Sequence, residues 1–199
     1  MSAIHFFLKV APREPFVGLE ELNMLLGGLR IVINDTIVTQ YSDDEEDPGF
    51  RGGLIYYILL GCLGCIPRLF AGERCKIDLI DGVGYFIFTP QGNLTYVKNF
   101  DFDPDRDLSD CVIRIVKNGK QIVVSCDSQN RRYPDFPLGS VVPTMLLAKE
   151  IIKVSEEFLR HLESMKQSPD EYIDKFRALL DEKKDYLNGY LNFHPEIEI

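Results

Sequence analysis

The sequence predicts an α+β fold, in which an antiparallel β-meander of about five or more strands is covered by a buried helix and a C-terminal helical pair. Strand-like segments alternate with turn residues in the middle of the chain, and the apolar run 54–66 is too long for a typical strand. After residue 140 the hydrophobic period changes from 2 to 3.6 residues. We expect a single domain over residues 1–199, with strands and one buried helix in 1–138 and the helical pair in 139–192. A chain of 199 residues that is 45% hydrophobic can bury such a core.

The first forty residues predict two extended segments separated by a short helix. Residues 4–10 have the pattern of a strand, and the prolines that follow end it. Residues 17–26 carry four leucines on one side of a short helix. The segment RIVINDTIVTQY, residues 30–41, is rich in β-branched residues and should turn at Asn34–Asp35.

A solvated acidic loop and a buried helix should follow. Residues 42–50 read SDDEEDPGF and hold no apolar pattern. The helix is predicted from about Gly53 to Phe70. Pro67 lies within it and removes one backbone donor, which would end or kink the helix at that point.

The centre of the chain predicts the meander. The segments CKIDLI, YFIFT and LTYVKNF are joined by Asp81–Gly82 and by the turn-forming run PQGN, residues 90–93. CVIRIVK and KQIVVSC then flank Asn118–Gly119, a pair that adopts the two positive φ angles of a type I′ hairpin turn at low cost. These two segments should extend the meander to five strands, and the proline-rich run 131–139 should leave the sheet.

Two C-terminal helices are predicted from the apolar spacing. From Ser140 onward an apolar stripe with spacings of 4 and 3 is formed by Val141, Met145, Ala148, Ile152, Ser155, Leu159 and Leu162, and is widened by Leu147, Ile151, Val154 and Phe158. The run SPDE, residues 168–171, is a compact helix start, in which Ser168 caps and Glu171 completes a capping box. The apolar face of the second helix is formed by Ile173, Phe176, Leu180, Leu187 and Tyr190.

Charge is concentrated in two short segments. The net charge is −9, which argues against nucleic acid as a partner because phosphate backbones are bound through clustered Lys and Arg. Segments 43–47 and 101–110 hold ten of the 31 acidic residues. Such single-sign patches steer oppositely charged partners, so a partner-binding role is predicted for Asp43, Asp44, Glu45, Glu46, Asp47, Asp101, Asp103, Asp105 and Asp107.

The second acidic segment is not a calcium loop of the EF-hand type. That loop requires glycine at its sixth position and glutamate at its twelfth, and the chain has Arg106 and Val112 there. A weak, irregular cation site and a solvated connection between strands remain as the two interpretations, and the second is favoured.

The pair Cys62–Cys65 forms a C-x-x-C motif inside the apolar run, with three interpretations. A redox dithiol needs a partly exposed thiolate at a helix N-terminus, whereas burial raises a thiol pKa and makes the group inert. A zinc site needs four ligands, and Cys62, Cys65 and Cys75 would require a distant fourth one. The favoured interpretation is two small residues packed in the core.

No catalytic motif of a known hydrolase, kinase or metalloprotease type is present. Glu157 and His161 are four residues apart and favour a surface pair on a helix. Cys126 follows a strand without a histidine nearby in sequence, although a partner from elsewhere in the chain stays open. The longest apolar run has 13 residues, and about 20 are needed to span a bilayer. With five cysteines and no secretory signal, we expect a soluble cytoplasmic protein without a cofactor or membrane contact.

These observations predict a non-enzymatic module that binds a basic protein. In its small size, acidity and lack of catalytic motifs the chain resembles the immunity-type proteins that neutralise bacterial toxins, and this is a resemblance of character and not of sequence. Two alternatives stay open. One is a metal- or thiol-dependent enzyme that uses Cys62, Cys65 and Cys75, and the other is a subunit of an oligomer with the C-terminal helices at its interface.

Overall fold

The fold is mixed α+β, with strands and helices assigned in a computed structural model that describes residues 3–10, 25–39, 51–79, 85–100, 114–118, 121–125, 140–165 and 171–194. The described strands are β1 (Ile4–Val10), β2 (Leu26–Ile33), β3 (Thr36–Ile37), β4 (Arg51–Leu54), β5 (Cys75–Asp78), β6 (Tyr85–Gln91), β7 (Leu94–Phe100), β8 (Arg114–Asn118), β9 (Gln121–Ser125) and β10 (Ser140–Pro143). The described helices are α1 (Ile55–Phe70), α2 (Thr144–Ser164) and α3 (Glu171–Phe193).

The first sheet is built around β2, which pairs antiparallel with β1 on one side and with the short β3 and β4 on the other. The predicted turn at Asn34–Asp35 is confirmed, because these residues have φ angles of 49° and 65° and connect β2 to β3. The backbone N–H of Ala3 donates to the Asn34 side chain at 3.0 Å, which secures the start of β1 beside the turn. Leu26 begins a strand, although it was expected to end a helix. The rest of that predicted helix lies outside the described residues.

The second sheet has the order β10-β7-β6-β5 and is antiparallel throughout. It confirms the three successive strands predicted over 75–100. The predicted five-strand meander is not confirmed, because the free edge of β7 is taken by β10, with Val141 opposite Tyr96. A strand has only two edges, so β8 has no place beside β7. In the described part of the chain, β8 and β9 pair with each other as a separate hairpin.

Helix α1 starts two residues later than predicted and passes through Pro67. Gly53 and Leu54 belong to β4, and the helix runs from Ile55 to Phe70. Pro67 lacks the N–H that would donate to the carbonyl of Leu63, and the helix continues after it only as far as Phe70. The helix is buried along much of its length by Ile55, Tyr56, Ile58, Leu59, Cys62, Leu63, Cys65, Ile66 and Leu69.

Helix α2 starts at Thr144 and not at Ser140. The β-branched residues Val141 and Val142 pair with β7, and Pro143 has extended backbone angles directly before the helix. Val141, the first residue of the predicted apolar stripe, therefore lies in a strand. Its fit to the helical spacing was coincidental. The buried face of α2 is formed by Thr144, Met145, Leu147, Ala148, Ile151, Val154, Ser155, Phe158 and Leu162.

Helix α3 confirms its predicted apolar face. Ile173, Phe176, Leu180 and Leu187 are buried, and Tyr190 is partly buried. The gap in this stripe is filled by Lys183, which is 8% exposed and whose ammonium reaches the exposed carboxylate of Glu182. The predicted cap Ser168 lies outside the described residues, whereas Glu171 is the first residue of α3 and its carboxylate pairs with Lys175 at 3.2 Å.

The three helices meet at an aromatic junction in the core. The rings of Phe158 on α2 and Phe176 on α3 are 5.3 Å apart in an edge-to-face arrangement, and the ring of Tyr56 on α1 is 5.6 Å from Phe176. The Tyr56 hydroxyl donates to the carbonyl of Tyr172 at 3.1 Å, so the buried ring keeps a polar partner. α1 also packs against β5, and α2 packs against β1, so one core connects the helices with both sheets.

A buried hydroxyl pair joins the second sheet to α2. The hydroxyls of Thr95 and Thr144 are 2.8 Å apart, and both residues are buried. Replacing Thr144 by valine leaves the Thr95 hydroxyl without this partner, and we expect the free energy of unfolding to fall by about 1–3 kcal/mol. The double variant Thr95→Val/Thr144→Val removes both polar groups and should recover most of that loss. Urea denaturation of the wild type, the two single variants and the double variant measures the coupling free energy between the two hydroxyls. Additive losses from the two single changes would show that the hydroxyls are not coupled.

Candidate functional site

The nine acidic residues predicted to bind a partner lie outside the described residues. Segment 43–47 falls in the connection between β3 and β4, and residues 101–107 fall in the connection between β7 and β8. Their placement relative to each other is therefore not part of the described geometry, and their role stays a prediction.

Three cysteines come together where the last turns of α1 pack against β5. Cys62, Cys65 and Cys75 are 0%, 3% and 0% exposed, and all three are free thiols. Helical spacing of three residues places Cys62 and Cys65 on the same buried face of α1, as predicted from the apolar run around them. Close packing of this part of α1 on β5 depends on Gly61, where a Cβ would lie 2.9 Å from the side chain of Ile77.

Within this thiol cluster, the partner of Cys65 is Cys75 and not its motif neighbour Cys62. The Cys75 sulfur lies 3.9 Å from the carbonyl oxygen of Cys65 and 3.5 Å from that of Glu73, and its S–H can donate to either. A hydrogen bond with Cys75 is also the largest influence on the pKa of Cys65, whereas Cys62 affects that pKa through its charge. The helix–turn–strand connection therefore brings together two thiols that are ten residues apart in the sequence.

The three thiols differ in how readily they ionise. Burial, together with the negative charge that Cys75 can carry, raises the pKa of Cys62 to about 12. The hydrogen bond to Cys75 raises the pKa of Cys65, and burial adds to this effect. The same hydrogen bond lowers the pKa of Cys75, and the guanidinium of Arg68 lowers it further against the opposing effect of burial. Cys75 is therefore the thiol of this cluster that ionises first.

The turn between α1 and β5 is closed by charged side chains at the surface. The guanidinium of Arg68 pairs with the Glu73 carboxylate at 3.0 Å and donates to the carbonyl of Arg74 at 3.1 Å. Arg68 and Glu73 are both about half exposed, so this ion pair lies above the thiol cluster and not within it. The same arginine thus closes the turn and places positive charge near Cys75.

The described residues contain no group of three or more His, Cys, Asp or Glu side chains that could hold a metal ion. The three cysteines of the cluster are close in space but do not form such a set, and Cys111 and Cys126 lie outside the described residues. The part of the chain that the structure describes therefore provides no set of ligands for the zinc site that the sequence left as an alternative.

An open groove of about 340 Å³ lies between β1 and α2 and is lined by Leu8, Val10, Glu157, Arg160 and His161. The N–H of Phe6 donates to the Glu150 carboxylate on α2 at 3.3 Å, and so points away from β2. The N–H groups of Leu8 and Val10 point to the same side, because hydrogen-bonding direction alternates along a strand. The sequence predicted Glu157 and His161 as a pair on one helix face. No feature of the sequence predicted that the edge of β1 lies beside this face.

Comparison of the chain with protein-family models, with curated proteins and with solved structures finds no match. No helix in the described ranges is long and apolar enough to cross a membrane. In the residues that the structure describes, the fold and the site together define an α+β protein with two four-stranded antiparallel sheets, a separate two-stranded hairpin, a core joining three helices and a buried cluster of three free thiols.

Proposed function

We propose that this protein is a non-enzymatic binding module that holds a basic protein through segments 43–47 and 101–107. The observation that carries the proposal is the concentration of ten of the 31 acidic residues in segments 43–47 and 101–110, in a chain of net charge −9. A local field of one sign accelerates encounters with a partner of opposite charge and disfavours partners of like charge.

The acidic residues of the described helices differ from those of the two segments. Several of them are neutralised within the fold, as in the pairs Glu163–Arg177 at 2.8 Å and Glu156–Lys184 at 2.6 Å. Segment 42–50 contains no Lys or Arg, and segment 101–110 contains only Arg106. Acidic residues therefore outnumber basic ones by five to none in the first segment and by five to one in the second.

The thiol cluster supports binding over thiol catalysis. A thiolate that turns over a substrate needs a substrate site that stays open beside it, and the three cysteines are 0–3% exposed in the folded chain. The concrete form of the proposal is an immunity-type protein whose partner is a basic bacterial toxin, since inhibition by surface occlusion needs complementary charge but no catalytic group.

The test removes five negative charges from the first acidic segment. The variant carries Asp43→Asn, Asp44→Asn, Glu45→Gln, Glu46→Gln and Asp47→Asn, and its association with a basic protein retained by the immobilised wild-type chain is followed by stopped-flow fluorescence. We expect the association rate constant at low salt to fall roughly tenfold or more, with a shallower dependence on ionic strength, because the steering field is weakened.

A matched control removes five charges from the exposed faces of α2 and α3. Its substitutions are Glu157→Gln, Glu171→Gln, Asp181→Asn, Glu182→Gln and Asp185→Asn, all at exposed positions. This control has the same net charge as the segment variant and should associate nearly as fast as wild type. Equal rates for the segment variant and the control would show that net charge alone matters, and the proposed site would then be wrong.

A further inference from the structure

We propose that Cys65 and Cys75 are a modification site, at which a peroxide converts the two thiols into a reversible intramolecular disulfide while Cys62 stays reduced. The pair lies outside the acidic segments, so it is independent of the proposed binding function. The C-x-x-C spacing pointed to Cys62 and Cys65, whereas the fold assigns a different partner to Cys65.

Contact geometry selects this pair. The Cys75 sulfur lies 3.9 Å from the backbone oxygen of Cys65, which places the first residue of β5 directly beside this turn of α1. Cys62 lies one helical turn earlier, is fully buried, and has no hydrogen bond to either thiol among the described contacts. A disulfide between Cys65 and Cys75 would link the last turns of α1 to the first residue of β5, across the turn formed by residues 71–74.

The chemistry assigns separate roles to the two cysteines. A thiolate and not a thiol attacks peroxides, and the Cys65 hydrogen bond and the Arg68 charge favour the thiolate of Cys75. Cys75 is therefore the attacking residue. Cys65 keeps its proton until the second step and acts as the resolving thiol.

The reaction balances with one peroxide for each disulfide. The Cys75 thiolate attacks one peroxide oxygen, so that an S–O bond forms, the O–O bond breaks, and hydroxide leaves and takes up a proton to become water. The sulfur of Cys65 then attacks the sulfenic sulfur of Cys75. An S–S bond forms, the S–O bond breaks, and water leaves with the proton from Cys65. The two thiols lose two electrons and hydrogen peroxide is reduced to two waters.

The peroxide reaches Cys75 through the adjacent turn. Residues 71–74 are exposed, and the ion pair Arg68–Glu73 that closes the turn lies at the surface, where such pairs hold a segment weakly. Local opening of a short exposed turn requires much less free energy than global unfolding. Cys62, in the middle of the buried face of α1, gains no access from this opening.

The test treats the full chain with hydrogen peroxide, blocks the remaining thiols with iodoacetamide and maps the peptides by mass spectrometry without reduction. We expect one cross-link, between the peptides of Cys65 and Cys75, within a protein whose denatured mass is that of a single chain and which regains both thiols with dithiothreitol. A cross-link of either residue to Cys62, Cys111 or Cys126, or alkylated Cys65 and Cys75 after treatment, would overturn the proposal.

Two serine variants form a matched pair for the same experiment. Cys62→Ser should retain the cross-link, and Cys75→Ser should lose it while Cys65 stays alkylable. A cross-link that disappears in Cys62→Ser would assign the reaction to the motif pair and overturn the proposal. If Cys75→Ser does not fold, the linkage map of the wild-type chain decides the question without it.

Discussion

The variant Phe158→Ala is expected to lose about 3–5 kcal/mol of its free energy of unfolding, because it truncates a fully buried aromatic side chain. Phe158 is fully buried at the junction of the three helices, where its ring meets Phe176 at 5.3 Å. Removing the ring loses both the transfer free energy of the buried atoms and the packing against Phe176, which is held on another helix and can fill the space only in part.

Urea denaturation followed by circular dichroism measures this loss, and Phe193→Ala provides the control. Phe193 lies near the end of α3 and is 84% exposed, so the same chemical change there should alter the free energy of unfolding by no more than about 0.5 kcal/mol. If the two variants lost similar amounts, burial would not be the cause, and the three-helix junction would not be the core that the structure describes.

Gly27→Ala is expected to destabilise the protein by about 1–3 kcal/mol, although it adds only one methyl group. A Cβ at this position would lie 2.5 Å from the carbonyl oxygen of Lys9 and 3.1 Å from the side chain of Ile55. Gly27 lies in β2 between β1 and β4, so the nearest atom belongs to the backbone of a paired strand and cannot rotate away. The strands must separate locally to admit the methyl group.

Gly64→Ala is the matched control and should have the opposite sign. Gly64 is exposed on α1, and a Cβ there would meet no atom within 4 Å. Alanine should therefore raise the free energy of unfolding by about 0.5–1 kcal/mol, because it restricts the unfolded chain and favours the helix. Thermal and urea midpoints of the two variants provide the comparison. A stable Gly27→Ala protein would show that the strands of the first sheet do not approach as closely as described.

The local elements of this protein were largely predictable from its residues. The strand over 4–10, the turn at Asn34–Asp35 and the apolar face of α3 each depend on neighbouring residues alone, and each is confirmed. The predicted start of α2 at Ser140 was wrong for a physical reason. Val141 and Val142 fit a helical stripe and a strand equally well, and pairing with β7 decided the matter in favour of the strand.

The candidate sites were predictable to different extents. The burial of Cys62 and Cys65 followed from the apolar run around them and is confirmed. The pairing of Cys65 with Cys75 was not predictable, because it depends on how β5 returns along α1 after the turn. The groove between β1 and α2 joins residues about 150 positions apart, and no local pattern contains that information. The acidic segments remain a sequence prediction.

The sequence by itself determined the class of elements, the charge of the surface and the burial of the C-x-x-C motif, because these depend on side-chain chemistry and on hydrophobic period. Only the tertiary structure decided which strand lies beside β7 and which thiol lies beside Cys65. Both are choices among partners that the residue types alone do not distinguish. β8 and β10 offer similar β-branched edges, and Cys62 and Cys75 offer the same thiol. Chain connectivity and the packing of α1 against the strands and the other helices select one partner in each case. This selection depends on contacts between residues that are distant in sequence.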